Sequence, residues 1–255
     1  MPFTLSHAVL APPIAKLSGG RLPIGALAIG CMVPDLYRLL VKKEVLINHQ
    51  WHGILHPDLW VGLLFCFLWY GLYRPMIFQA IGISNPLKLH SFGQIIKFVF
   101  SLVIAVIIGT ATHIIWDGLT HLDFRTFAFR DFLAQPIHLF DHIYPMHSVL
   151  QIGCSFLALP FLIWMAIHYI LTYQQHHPIS AHMHRFSFIT ICCSSLAGIT
   201  YYFYQIKQTG FIPKQMDLYN YMGFLIKSFS QGALLCFTSA AIIFCILKHK
   251  QYFKS

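Results

Sequence analysis

One stretch of the sequence repeats ionisable side chains at helical spacing. In the run THIIWDGLTH, His113, Asp117 and His121 are each four residues apart. A helix through them places all three side chains on one face. Imidazole and carboxylate groups spaced in this way can bind one divalent ion together. A helix-terminal cap with a His–Asp hydrogen bond is the alternative, and we favour the metal site.

Two further groups lie in the N-terminal third of the chain. His7 ends the opening sequence MPFTLSH, in which Thr4 or Ser6 could cap a helix. Asp35 follows Pro34 at the end of an apolar run. A carboxylate without a partner is costly in such surroundings, so we expect Asp35 to have one.

Histidines also mark the start of two apolar stretches. The run HQWHGILH begins at His49 and contains His52 and His56, which are four residues apart. His147 stands in the run YPMHS before a later apolar stretch. Together with the other elements, these histidines place imidazoles at the membrane ends of several predicted helices.

The composition indicates an integral membrane protein. The 255 residues are 57% hydrophobic and 10% charged, whereas soluble chains are about 25% charged. Five apolar stretches approach the roughly 20 residues that span a bilayer as a helix. They are Ile54–Tyr73, Ile95–Thr112, Val149–Leu171, Phe186–Tyr204 and Met222–Leu247. The sequence therefore predicts an all-α fold, a polytopic membrane helical bundle with about five transmembrane helices in a single domain over residues 1–255.

Residues 1–50 differ from the rest of this bundle. The apolar run Leu22–Val33 is only a dozen residues long and ends at Pro34-Asp35. Runs of this length are more often re-entrant or interfacial than spanning. We expect an N-terminal re-entrant or interfacial helical pair, with one full span over Leu22–Val41 as the alternative. Residues 51–171 then form the motif-bearing core, and residues 172–255 add two more transmembrane helices.

The five spans place every acidic residue on one side of the membrane, together with nine of the sixteen histidines. The acids are Asp35, Glu44, Asp58, Asp117, Asp123, Asp131, Asp141 and Asp217. Carboxylate and imidazole groups on one face are what a divalent cation site requires. The net charge of +9 comes from basic residues dispersed along the chain. This pattern favours anionic lipid headgroups and argues against nucleic acid as a partner.

These motifs together resemble a known bacterial family. The opening PFTLSH, the run RLP at residues 21–23, Gly30, Pro34-Asp35 and the HxxWDxxTH motif at residues 113–121 resemble an uncharacterised integral-membrane family catalogued as a domain of unknown function. The resemblance covers residues 2–160. That family is similar to membrane-bound metal-dependent hydrolases and, more distantly, to zinc-dependent phospholipase C and related single-strand nucleases.

The resemblance implies a divalent metal centre, with zinc favoured and manganese as the alternative. The ligands that it implies are His7, Asp35, His52 or His56, His113, Asp117 and His121. The HxxxE pair that closes the phospholipase C site does not follow His121 in this chain. We therefore expect one or two ions rather than three.

A metal at this place predicts hydrolysis of an amphiphilic (phospho)ester at the membrane surface. A bound divalent ion lowers the pKa of water towards about 7. Asp35 or Asp117 could act as the base or bridge ions, and His147 could protonate the leaving group. Arg125 and Arg130 could hold a phosphate through paired donors, although both could equally be interfacial anchors.

Two other functions stay open. A non-catalytic membrane protein could use the His/Asp cluster as a structural metal clip. A transporter could use it as a relay, but the centres of three spans, residues 98–108, 156–165 and 232–244, are nearly free of ionisable groups. We expect a bacterial inner membrane location, with membrane lipids and a lipid-linked substrate as partners.

Overall fold

The structure is a computed structural model that describes residues 4–41, 46–139, 141–175, 178–210 and 218–253. The segment Met1–Phe3 of the opening motif and the acids Glu44 and Asp217 lie outside these residues. The fold is all-α apart from one small hairpin, which confirms the predicted fold class.

Nine α-helices and two strands occupy the described residues. The α-helices are α1 (Ala11–Leu17), α2 (Ile24–Leu40), α3 (Leu59–Leu68), α4 (Arg74–Ala80), α5 (Phe92–Thr120), α6 (Arg130–Ala134), α7 (Met146–Tyr173), α8 (Ala181–Thr209) and α9 (Leu218–His249). Short 3₁₀ turns cover Thr4–Leu10, Ile47–His49 and Trp51–Gly53, and π-helical turns cover Ile54–Asp58 and Trp69–Tyr73. The strands β1 (Pro136–Leu139) and β2 (His142–Pro145) pair antiparallel.

Five helical stretches are long and apolar enough to cross a membrane. They are Trp51–Ala80, Phe92–Thr120, Met146–Tyr173, Ala181–Thr209 and Asn220–His249. Each contains one of the five predicted spans and extends beyond it by two to eight residues at each end. The chain is therefore an integral membrane protein.

The chain divides into two compact units. The first comprises Met1–Cys66 and Leu87–Tyr169, and the second comprises Phe67–Pro86 and Ile170–Ser255. The second unit contains both helices that the sequence adds over residues 172–255.

In the first unit, α2 continues past the proline at which the sequence predicts a stop. It runs through Pro34 to Leu40, about 25 Å at 1.5 Å per residue. Proline has no N–H and leaves the carbonyl of Gly30 without its helical donor. The hydroxyl of Thr110 on α5 donates to that carbonyl at 3.3 Å, so a neighbouring helix satisfies the group that the proline releases.

Two glycines bring α2 and α5 into backbone contact. A Cβ atom on Gly30 would lie 2.6 Å from the carbonyl oxygen of Val106, and one on Gly109 would lie 2.6 Å from that of Leu27. Any larger residue would separate the helices. This close approach allows side chains of α5 to meet backbone and side-chain groups of α2.

The second unit is held by apolar packing. Its buried centre consists of Tyr73, Met76, Met183, Ala241, Phe244 and Phe253. The helices α8 and α9 also pack closely, because a Cβ atom on Gly232 would lie 2.5 Å from the carbonyl oxygen of Ala197. Small residues at such positions are typical of helix pairs in membranes.

Candidate metal centre

Six ionisable side chains from four segments of the first unit converge at one place. The 3₁₀ turn Thr4–Leu10, the helix α2, the turn Ile47–His49 and the C-terminal end of α5 supply them. The six are His7, Asp35, His49, His113, Asp117 and His121, and we call them the His/Asp cluster. Five of these side chains are at most 4% exposed, and Asp35 is 9% exposed.

Asp117 lies at the centre of this cluster. Its Oδ1 is 3.7 Å from Nε2 of His7 and 3.5 Å from Nδ1 of His121. Its Oδ2 is 3.4 Å from Nε2 of His113 and 3.8 Å from Nε2 of His49. The predicted i, i+4 contacts within residues 113–121 are therefore present.

Asp35 joins the cluster through a histidine from another segment. Nε2 of His49 lies 3.5 Å from Oδ1 of Asp35, and the hydroxyl of Thr4 donates to Oδ2 at 2.8 Å. Asp35 thus has the partner that its apolar surroundings require. His7, Asp35 and His113 form one group whose ligand atoms lie within 4.8 Å of one another, and His49, His113 and Asp117 form a second.

The spacing of these atoms suits a metal ion better than direct hydrogen bonds. Hydrogen bonds from nitrogen to oxygen are normally about 2.7–3.2 Å long. The distances above between two cluster side chains are all longer, at 3.4–3.8 Å. Nε2 of His49, Nε2 of His113 and Oδ1 of Asp117 are buried and accept or donate no hydrogen bond within the described chain. Ligand atoms of a tetrahedral zinc ion are about 3.3 Å apart, given bonds of about 2.0–2.1 Å.

His113 is oriented as a metal ligand by the backbone of α2. Its Nδ1 lies 2.7 Å from the carbonyl oxygen of Cys31. A carbonyl can only accept, so Nδ1 carries the proton, and Nε2 of the neutral ring keeps its lone pair for the cluster. The ring also stacks on His7, with centroids 3.9 Å apart.

The ionisation states outside the membrane-spanning helices favour cation binding. Burial and the neighbouring His113 hold the pKa of His7 well below its ordinary value. Burial also lowers the pKa of His49, against the opposing effect of Asp35. Burial acts to raise the pKa of Asp35, but the electrostatic effects of His49, His113 and Arg38 outweigh it and hold that pKa well below its ordinary value. Neutral imidazoles and ionised carboxylates are the forms that bind metal.

Arg125 fixes the second oxygen of Asp117. Its Nη1 donates to Oδ2 of Asp117 at 3.0 Å, and its Nε donates to both carboxylate oxygens of Asp123 at 3.0 and 3.1 Å. The loop that carries Arg125 is itself ordered, because the hydroxyl of Thr126 donates to the carbonyl of His121 at 2.5 Å. Arg125 was predicted to bind substrate, but its guanidinium is committed to two carboxylates of its own chain.

The segment before α3 supplies a different histidine from those predicted. His49 is buried in the cluster, and the amide of Asn48 holds its turn by donating to the carbonyl of Pro34. His52 and His56 are both exposed and lie outside the cluster. Their spacing of four residues has no helical meaning here, because His56 precedes Pro57 and has extended φ/ψ angles of −154° and 114°.

Two other predicted residues lie at the edge of the site or beyond it. Nδ1 of His147 on α7 is 3.4 Å from the side-chain amide of Gln151, which donates to the carbonyl of Thr120 at 2.9 Å. His147 is therefore next to the last turn of α5 but makes no described contact with a cluster side chain. Arg130 is exposed at the start of α6, and the described contacts place it outside the cluster.

Asp58 is a buried acid that motif spacing does not indicate. It is 0% exposed, and neither carboxylate oxygen has a hydrogen-bond partner among the residues that the structure describes. It lies in the π-helical turn before α3, and this turn packs against α5. Position was the available signal, because an acid five residues into a predicted span needs a partner.

A comparison with protein families assigns this chain. The model of the family described as "Domain of unknown function (DUF4184)" matches residues 1–247. The chain belongs to the DUF4184 family. The match includes every residue of the His/Asp cluster, and it extends over both predicted additional helices of this DUF4184 chain.

Two other comparisons give no relative. No curated protein and no solved structure matches the chain significantly. Because the DUF4184 family is described only as a domain of unknown function, membership assigns no activity, and the chemistry has to be argued from the cluster itself.

Proposed function

We propose that the chain is a metal-dependent hydrolase embedded in the bacterial inner membrane, which acts on an amphiphilic (phospho)ester at the membrane surface. The proposal rests on a divalent ion, zinc or manganese, held by the His/Asp cluster. Imidazole nitrogen with carboxylate oxygen is a donor set that both ions accept.

One observation carries this proposal. Nε2 of His49 and Nε2 of His113 lie 3.8 and 3.4 Å from Oδ2 of Asp117, too far for normal hydrogen bonds. These two nitrogens and Oδ1 of Asp117 are buried and have no hydrogen-bond partner among the described residues. Leaving several such atoms unsatisfied costs about 1–3 kcal/mol each. A cation between them removes that cost. Because His113 offers only Nε2, the two overlapping ligand groups that share it favour one ion over two.

The protein residues have separable roles in this proposal. A bound divalent ion supplies an activated water and polarises an ester oxygen. His113 and Asp117 hold the ion, since their second polar groups are fixed by Cys31 and Arg125. Asp35 has the most exposed side chain of the cluster and is the carboxylate best placed to take a proton from an incoming water.

His147 remains the proposed proton donor to the leaving group. It lies beside Gln151 and close to the end of α5, and an imidazole is a common general acid in hydrolysis. Its distance from the cluster side chains requires the substrate to bridge the two places.

A structural metal clip is the second candidate function, and the burial of the cluster favours it. Five of the six side chains are almost fully covered, as in closed structural sites, whereas catalytic sites keep an open coordination position. Transport is not favoured, because ionisable groups are nearly absent from the centres of three predicted spans.

Metal analysis of an isosteric variant separates these functions. The chain purified in an uncharged detergent should contain about one zinc or manganese ion, and Asp117→Asn should lose most of it. Asp131→Asn, at an exposed acid, is the matched control. If Asp117→Asn stays folded, melts no lower than the metal-free wild type and stops hydrolysing short-chain phospholipids, the site is catalytic. If the variant unfolds, the cluster is a clip, and a wild-type chain without metal contradicts both.

A further inference from the structure

The His/Asp cluster has one edge that solvent reaches. Asp35 has 9% of its side chain exposed, whereas His113 has 0% and Asp117 has 1%. A molecule that approaches the cluster from solvent therefore meets Asp35 first. Groups around this carboxylate decide what kind of molecule is admitted.

A guanidinium with available donors stands at this edge. Nη1 of Arg38 lies 4.0 Å from Oδ1 of Asp35, and the Arg38 side chain is 40% exposed. At that distance the two groups attract each other without a normal hydrogen bond. The described chain offers Arg38 no other hydrogen-bond acceptor.

Arg125 differs from Arg38 in how many of its guanidinium donors are already hydrogen-bonded. Arg125 is 11% exposed and its donors are taken by Asp117 and Asp123. Planar guanidinium donors match a phosphate well, but only a guanidinium with unused donors can bind one. Of these two arginines beside the cluster, Arg38 satisfies that condition.

Exposed apolar side chains come from the segment that delivers His49 to the same edge. Leu46 is 54% exposed, Ile47 is 36% exposed and Trp51 is 53% exposed. In the sequence they lie on both sides of His49, whose Nε2 is 3.5 Å from Oδ1 of Asp35. Tryptophan and aliphatic side chains in such a position are typical of the membrane interface, where they can contact acyl chains.

We propose that Arg38 forms an anion-binding subsite at the Asp35 edge, which takes the phosphate of an amphiphile while Leu46, Ile47 and Trp51 contact its apolar part. This subsite rests on the proposed function, because it supplies the headgroup recognition that the hydrolase requires. It replaces Arg125 and Arg130 as the substrate-binding arginines. A cation in the cluster would draw Asp35 away from Arg38 electrostatically and leave the guanidinium for the phosphate.

A binding experiment tests this subsite independently of hydrolysis. Three probes are titrated into the full chain in uncharged detergent with zinc present, and heat is measured. Dihexanoyl phosphatidic acid carries phosphate and tails, glycerol 3-phosphate carries phosphate alone, and dihexanoylglycerol carries tails alone. Arg38→Gln is compared with Arg21→Gln, at an exposed arginine that precedes the N-terminus of α2, whereas Arg38 lies near the C-terminus of this helix of about 25 Å.

We expect the wild type to bind phosphatidic acid more tightly than either partial probe. Arg38→Gln should weaken binding of both phosphate probes at least tenfold and leave dihexanoylglycerol unchanged, with zinc content retained. Arg21→Gln should match the wild type. Unchanged binding of phosphatidic acid by Arg38→Gln, an equal loss in Arg21→Gln, or no binding by the wild type overturns the subsite. Glycerol 3-phosphate binding as tightly as phosphatidic acid overturns the apolar contact.

Failure of the proposed function gives a different result. Phosphatidic acid that binds through Arg38 but is never cleaved would remove the hydrolase and keep the subsite. Cleavage that is equally fast in the wild type and Arg38→Gln at low substrate would remove the subsite and keep the hydrolase.

Discussion

The two units bury different kinds of side chain. The first buries His7, His49, Asp58, His113, Asp117 and His121. The second buries no histidine or acid among its described residues, although it buries the hydroxyl-bearing side chains of Thr190, Ser194 and Ser228. The second unit is filled instead by aromatic and sulfur-containing groups such as Tyr73, Met183 and Phe244. Both units use glycines to bring a helix pair together, so their helix packing is alike.

The difference teaches what each unit needs in order to be stable. Apolar helices in a membrane associate through close packing of their own atoms. The second unit has such packing in its apolar centre and at the glycine contact between α8 and α9. Buried ionisable groups are costly in the same surroundings unless they are paired or ligate an ion. The distances within the His/Asp cluster do not pair its members directly, so we expect the first unit to depend on a bound cation.

Metal removal is the strongest way to separate the units. A chelator should lower the stability of the first unit by about 3 kcal/mol, the stabilisation by a ligand present at 100 times its Kd or slightly more. Hydrogen exchange read by mass spectrometry should then accelerate in α2 and α5 and stay unchanged in α8 and α9.

Readdition of zinc is the control for this experiment, and it should restore the slow exchange in α2 and α5. Equal acceleration in both units would mean that the cation stabilises the whole chain. No acceleration anywhere would mean that the cluster holds no cation that matters for stability.

Glycine substitutions test whether helix packing in the first unit also serves the cluster. Gly109→Ala and Gly232→Ala should each lower stability by about 2 kcal/mol, because each Cβ meets backbone atoms of a neighbouring helix. Only Gly109→Ala should also reduce zinc content, since separating α2 from α5 breaks the contact between His113 and Cys31.

Gly93→Ala is the matched control on α5, where an added Cβ meets no atom within 4 Å. Thermal melts and metal analysis should give this variant the melting temperature and zinc content of the wild type. Equal metal loss in Gly109→Ala and Gly232→Ala would contradict a cluster that depends on the contact between α2 and α5 alone.

The five spans and the part of the site that lies on one helix could be predicted from the sequence for physical reasons. A bilayer requires about 20 apolar residues per span, so the five spans are evident in composition alone. His113, Asp117 and His121 meet because they follow one helix, for which spacing determines the face. Asp35 was expected to have a partner because a bare carboxylate is costly after an apolar run.

The remainder depends on contacts between distant segments. His49 enters the cluster because Asn48 binds the carbonyl of Pro34, a contact that no spacing rule contains. Pro57 after His56 was a usable signal against the helical spacing of His52 and His56. Arg125 binds Asp117 and Asp123 because its loop turns back onto α5. This turn is a tertiary contact that the sequence pattern does not contain.

The smallest predicted effect concerns Asp58 and has the opposite sign to the others. Asp58→Asn should raise the stability of the metal-free chain by about 1 kcal/mol, because it removes a buried carboxylate whose oxygens have no described partner. Asp131→Asn, at an exposed acid, should change nothing. With zinc present the gain should shrink, since the same carboxylate attracts a cation at His113. Thermal melts with and without chelator measure both values, and a destabilised metal-free Asp58→Asn would show that Asp58 has a stabilising partner.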